Sequence, residues 1–418
     1  MTIASTPAAK ARKPVPRGIA RTGPAILSYG FRPFFLLAAL FALLDMVLWI
    51  GALMGQWAVG GSAGPIAWHA HEMLFGYGTA ALSGFILTAV PNWTGRLPVS
   101  GLPLLALVGL WLAGRMAMLA PALIGELAAS AIDGLYLVAL TAIISREVIA
   151  GGNTQNLRVA AAVGAIALLN LGFHLSTQLD WDHGSVLRAT VGLFSVLICL
   201  IGGRIIPSFT RNYLSRTGQT RMPSPVDRLD RVSIAIVVVA TGAWAIAPDL
   251  RLTAILAAAA AASQAFRLSR WRTGPALREP LLAMLHISFA FIPLGWLAVA
   301  VASLGLLSGA SALHVLTVGG IGTMTLAVMM RVTRAHTGRP LKASPIGIAA
   351  FSCLVLAALL RPAAEIVPQA YEAILSASAA AWIAAFALLL IEHAPMLLTP
   401  SLNSKAGREN PAPRPSRP

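Results

Sequence analysis

Apolar runs of about 20 residues recur twelve times between residues 33 and 394, and each is long enough to cross a bilayer core as a helix. Backbone groups inside hydrocarbon must be satisfied within their own segment, so such runs span as helices. The pattern predicts spans at 33–54, 69–92, 101–120, 127–145, 159–178, 185–207, 231–248, 251–267, 281–303, 311–331, 345–366 and 372–394. Turn chemistry separates them: Gly60-Gly61, Pro98, Pro121, Gly151-Gly152, Pro223 to Pro225, Pro248, Gly309 and Pro368. The 418 residues are 57% hydrophobic and 11% charged, whereas soluble domains carry about 25% charged residues. The expected fold is an all-α polytopic membrane protein of about twelve helices.

A net charge of +16 in a soluble chain would suggest nucleic acid. Here the placement of the charge argues against it. With the N-terminus in the cytoplasm, 27 of the 31 Lys and Arg residues fall on cytoplasmic segments, the bias by which multi-pass proteins are oriented. Arg251 is the exception in an outer loop, and Arg115, Arg188 and Arg361 lie within spans. Both termini are therefore expected in the cytoplasm, which places the chain in the inner (cytoplasmic) membrane. Residues 1–30 and 397–418, rich in Pro, Ser and basic residues, read as disordered tails around one membrane domain at 31–396. No apolar segment with a cleavage site follows the first basic residues, so no signal peptide is expected. Cys199 and Cys353 each stand alone in an apolar run and imply no disulfide framework.

The chain repeats internally. His71 is followed by twenty-two residues and then Thr94-Gly95-Arg96; His314 is followed by twenty-two and then Thr337-Gly338-Arg339. The next span in each case carries a lone arginine, Arg115 and Arg361. The end of the sixth span, Ile206-Pro207-Ser208-Phe209-Thr210, echoes Val90-Pro91-Asn92-Trp93-Thr94, with Leu187 and Arg188 where the histidine would fall. Related exits at spans two, six and ten suggest three units of four helices. Repeats of this kind place functional sites at the interfaces between units.

Several strings carry a resemblance: Gly30-Phe31-Arg32-Pro33-Phe34-Phe35, Trp68-His69-Ala70-His71-Glu72-Met73, Val90-Pro91-Asn92-Trp93-Thr94-Gly95, Gly203-Arg204-Ile205-Ile206-Pro207, and Gly322-Thr323-Met324-Thr325-Leu326-Ala327 with His336-Thr337-Gly338-Arg339-Pro340. Together they resemble the NnrS family over nearly the whole chain outside the tails. The resemblance implies a membrane protein containing haem and copper, tied to nitric oxide metabolism and nitrosative-stress tolerance. It implies a small gaseous ligand, and it leaves open whether a reaction is catalysed.

An ionisable residue inside a span is a functional candidate by default. The bland alternative is an imidazole bonded to a neighbouring helix. His71 and His314 stand at equivalent depth in two repeats and are the expected axial haem ligands. His69 points about 200° round the helix from His71 and is a candidate for a second site. His174 is a candidate copper ligand and His286 a further metal candidate; His183 reads as a loop residue, and His336 and His393 as interfacial. Arg115, Arg361 and Arg188 are candidate partners for haem propionates, since a guanidinium fork suits carboxylates. Arg115 and Asp133 coincide in depth, so an ion pair between them is the structural alternative. Asp45 and Glu72 are candidate proton carriers, with acceptance of a helix–helix hydrogen bond as the alternative for either. A competing class, suggested by repeats, Gly-rich spans and mid-membrane charge, is a secondary transporter without haem.

Overall fold

The computed structural model describes residues 23–402; most of both expected tails, 1–22 and 403–418, lies outside the described residues. The described chain is helical, with no β-strand, and twelve helices are long and apolar enough to cross a membrane. In chain order they are α1 (Phe31–Leu53), α2 (Gly61–Thr94), α3 (Leu102–Leu119), α4 (Glu126–Ala150), α5 (Thr154–Gln178) and α6 (Gly184–Arg216). The second half comprises α7 (Arg228–Ile246), α8 (Arg251–Ser269), α9 (Pro280–Ala302), α10 (Gly309–His336), α11 (Pro345–Ile366) and α12 (Pro368–Leu398).

All twelve fall where the hydropathy pattern predicts them. The largest differences are at the ends. α2 starts eight residues early, and α6 runs through Pro207 to Arg216. A proline removes one hydrogen bond and bends a helix, but packing on neighbours can carry the helix past it. Before α1, a short turn at Ala25–Leu27 is tied down by the Gly101 N–H, which donates to the Leu27 carbonyl at 3.0 Å.

Burial separates central from peripheral helices. The most apolar stretch of α2 is 78% buried within the protein, against 33% for α7 and α11. The second helices of the three repeat units, α2, α6 and α10, converge with Phe35 of α1 on one apolar cavity. Gly78, Phe85, Phe194, Ile201 and Met324 are among its lining residues. The first and last helices close the bundle: Trp382 of α12 donates to the Ala42 carbonyl of α1 at 2.9 Å.

The repeat is visible in the backbone itself. Immediately after His71 the helix widens into a π-helical stretch, Glu72–Gly78; immediately after His314 it does so again, Val315–Gly322. π-Helical stretches are rare and concentrate at functional sites. α6 is a continuous α-helix at the corresponding place, in the same unit that lacks the histidine.

Candidate metal centre

Four helices deliver a polar cluster to the end of the bundle opposite the Thr-Gly-Arg exits. His71 and Glu72 come from α2, Arg115 from α3, Asp133 from α4, and Asn170 and His174 from α5. All six are buried, His71 completely. Asp133 is the hub. Its Oδ2 accepts from His174 Nε2 at 2.8 Å and from Asn170 Nδ2 at 2.8 Å, and lies 3.3 Å from His71 Nε2. Its Oδ1 is ion-paired with Arg115, whose other amino group donates to Glu72 Oε1 at 2.6 Å. Glu72 Oε1 also accepts from His71 Nδ1 at 2.8 Å, while His71 Nε2 meets Asn170 Oδ1 at 2.9 Å. Both ring nitrogens of His71 thus face oxygen acceptors.

Local sequence makes this possible. Gly76 lies in the π-helical stretch; a Cβ there would stand 2.7 Å from Arg115 Nη1, so only glycine leaves room for the guanidinium. Trp111, one turn before Arg115 on α3, donates to the Gly76 carbonyl at 3.1 Å and holds the two helices in register. The Arg115–Asp133 pair expected from equal depth is present, extended by Glu72 into a triad. Arg115 is therefore engaged by two carboxylates.

A second constellation borders the first. His69 Nδ1 donates to Asp45 Oδ2 at 2.8 Å, and its ring stacks on Trp49 with centroids 4.7 Å apart at 11°. His314 Nδ1 donates to the Ala310 carbonyl at 2.7 Å. Arg361 and His69 lie within electrostatic range of His314, and Arg361 pairs with Glu365 at 3.3 Å. Among the described residues, neither His69 nor His314 makes a hydrogen bond through Nε2. The structure thus brings His71 to His174 and Asp133, whereas His69 bonds Asp45 and His314 bonds the Ala310 carbonyl. The two repeat-related histidines belong to different constellations.

Other sequence candidates are elsewhere. Arg188 donates to the Trp244 and Ala245 carbonyls at 3.0 and 3.2 Å, closing the end of α7. His286 is held between the hydroxyls of Thr210 and Thr273 at 2.9 and 3.1 Å. His183 bonds the Thr177 hydroxyl at 2.9 Å beside the Phe173 ring. Sequence reasoning placed Asp133 with Arg115 and missed that it also gathers two histidines. The signal was there in outline, as a lone acid at the depth of His174 in the adjacent span.

One ligand atom each from His71, Asp133 and His174 lies within 4.8 Å of the others, close enough to share one ion. The family model described as NnrS protein matches residues 25–401. The chain belongs to the NnrS family. No curated protein matches it. Family membership makes haem and copper the groups whose fit to these residues matters. Two imidazoles and a carboxylate suit copper, iron or zinc alike. Taking up an ion there requires His71 and His174 to release their Nε2 protons, a coupling common to imidazole sites. His69 and His314 have the usual arrangement of a metal-ligating imidazole: Nδ1–H given to a carboxylate or carbonyl, Nε2 left open. The donor set of His71, Asp133 and His174 in this NnrS-family chain therefore fits a copper ion, and His69 and His314 offer two further imidazoles.

Proposed function

We propose that this protein is an inner-membrane haem- and copper-binding protein of the nitric oxide response, with both termini in the cytoplasm. Copper would be held by His71, Asp133 and His174, and haem by His69 and His314 with Arg361 available to a propionate. The observation that carries the reading is the convergence of His71, Asp133 and His174 from three helices on one buried point. Buried charge without a partner is costly in a bilayer, and a cluster this dense is a functional hypothesis by default. Support for the haem position comes from the two open Nε2 atoms and from Asp45, which orients His69.

When bound, the two groups would supply coordination and one-electron chemistry toward a small gaseous ligand such as nitric oxide. The chain's own residues do the rest. Glu72 and Arg115 hold His71 in place, and Trp49 and Asp45 fix the plane of His69. The Arg115 charge that would suit a transport pathway is spent on Glu72 and Asp133, which favours a fixed centre over a moving one.

The experiment is metal and haem analysis of the purified full-length protein, together with its absorption spectrum. The expected result is a Soret band and one copper per chain. A colourless, metal-free preparation that transports a solute would overturn the reading in favour of a transporter.

A further inference from the structure

Asn170 stands one turn before His174 on α5, so the two side chains share a face of that helix. Both reach Asp133 Oδ2 at 2.8 Å, Asn170 through Nδ2 and His174 through Nε2. The other polar atom of the amide, Oδ1, accepts from His71 Nε2 at 2.9 Å. The buried amide of Asn170 thus spans the gap between His71 and Asp133, two of the three groups that can share an ion. Its orientation is fixed by its neighbours. Turning the amide over would set Oδ1 against the Asp133 carboxylate and Nδ2 against the His71 N–H.

Uptake of an ion takes away this oxygen's partner. His71 must release its Nε2 proton, and with it goes the one donor that Asn170 Oδ1 has among the described residues. A buried acceptor left without a donor is costly, and the cation that replaces the proton is within its reach. The distances agree. Ligand atoms around a tetrahedral ion, with bonds of about 2.0 Å, stand about 3.3 Å from one another. Here His174 Nε2 is 2.8 Å and His71 Nε2 3.3 Å from Asp133 Oδ2, and Asn170 Oδ1 is 2.9 Å from His71 Nε2.

We propose that Asn170 Oδ1 is the fourth donor of the centre, and the exchangeable one. The proposal rests on the reading of His71, Asp133 and His174 as a metal site. Two imidazoles and a carboxylate hold an ion firmly, whereas an uncharged amide oxygen holds it weakly and yields its place to a small incoming ligand. The Nδ2 bond to Asp133 keeps the side chain poised to return. The ion is then four-coordinate at rest and gains the open position that binding of an outside ligand requires. The competing role is that of a positioning residue which only donates to Asp133. A negative charge placed at Asn170 separates the two: it strengthens a ligand and repels a bare carboxylate.

The test loads the purified full-length protein with Cu(II), measures affinity by chelator competition, and follows azide binding through its charge-transfer absorption. Asn170→Asp should hold copper about tenfold more tightly than wild type and bind azide more weakly. Asn170→Ala should hold copper about tenfold less tightly and admit azide more readily. Weaker copper in both variants would make Asn170 a donor to Asp133 alone, and wild-type behaviour in both would remove it from the centre; either result overturns the proposal. A second measurement needs no substitution. In wild-type protein carrying asparagine labelled with heavy carbon at Cγ, electron–nuclear double resonance should show a through-bond coupling to Cu(II); its absence would overturn the proposal however the variants fold. His174→Gln distinguishes this from failure of the metal site. Copper lost there, with Asn170 variants like wild type, leaves the site and removes only its fourth donor; copper retained there removes both.

Discussion

His71 and His314 sit at the same point of two related helices. Each is followed by a π-helical stretch and, five residues on, by a glycine that a neighbour approaches closely. At Gly76 the neighbour is the Arg115 guanidinium; at Gly319 it is the Phe291 ring. His71 is enclosed by Glu72, Asn170 and Asp133, with both nitrogens engaged, whereas His314 bonds one carbonyl and leaves Nε2 open. The repeated backbone therefore sets where an imidazole stands, and the helices packed against it set what that imidazole can do. A buried ion-pair network surrounds the first site. A short, partly exposed pair, Arg361–Glu365, borders the second.

That contrast makes unequal demands on stability. Arg115→Ala would leave the buried carboxylates of Glu72 and Asp133 without their guanidinium, with only imidazole and amide partners, and should cost about 3–5 kcal/mol in thermal or denaturant unfolding of the detergent-solubilised protein. A wild-type unfolding curve would show that the triad is not what holds α2, α3 and α4 together. Gly76→Ala should cost about 1–3 kcal/mol by forcing Arg115 away from Glu72. Asp45→Asn acts on the other site. It should weaken haem retention about tenfold by loosening the His69 ring, with little change in folding. Unaltered haem retention would place the haem elsewhere. Arg361→Ala should change stability by less than about 0.5 kcal/mol, as expected of an i,i+4 pair near the surface. A loss comparable to that of Arg115→Ala would erase the difference between the two sites.

Much of the architecture was legible because bilayer crossing imposes length and hydropathy on each helix. The twelve spans, the repeat and the Arg115–Asp133 pair all follow from one-dimensional spacing. What spacing could not give was the facing of side chains around the bundle. His71 and His314 looked like one pair because depth is readable and azimuth is not. The two π-helical stretches also rotate everything beyond them, and no residue pattern in Glu72–Gly78 announces that change. Position in the span left Glu72 open as a proton carrier or a helix–helix hydrogen-bond acceptor; its bond to Arg115 depends on Gly76 leaving space. The bonding of Arg32 to the end of α12 was hidden for another reason: Arg32 and Leu397 are more than 300 residues apart in the chain.

The central claim is that His71, Asp133 and His174 form a metal centre distinct from the haem position. His174→Gln tests it most directly, because Asp133 keeps its Arg115 and Asn170 partners and the fold should survive. Copper and haem per chain would be measured on the folded wild type and variant under the same loading. Loss of copper with haem retained is the predicted result; full copper in His174→Gln would contradict the assignment.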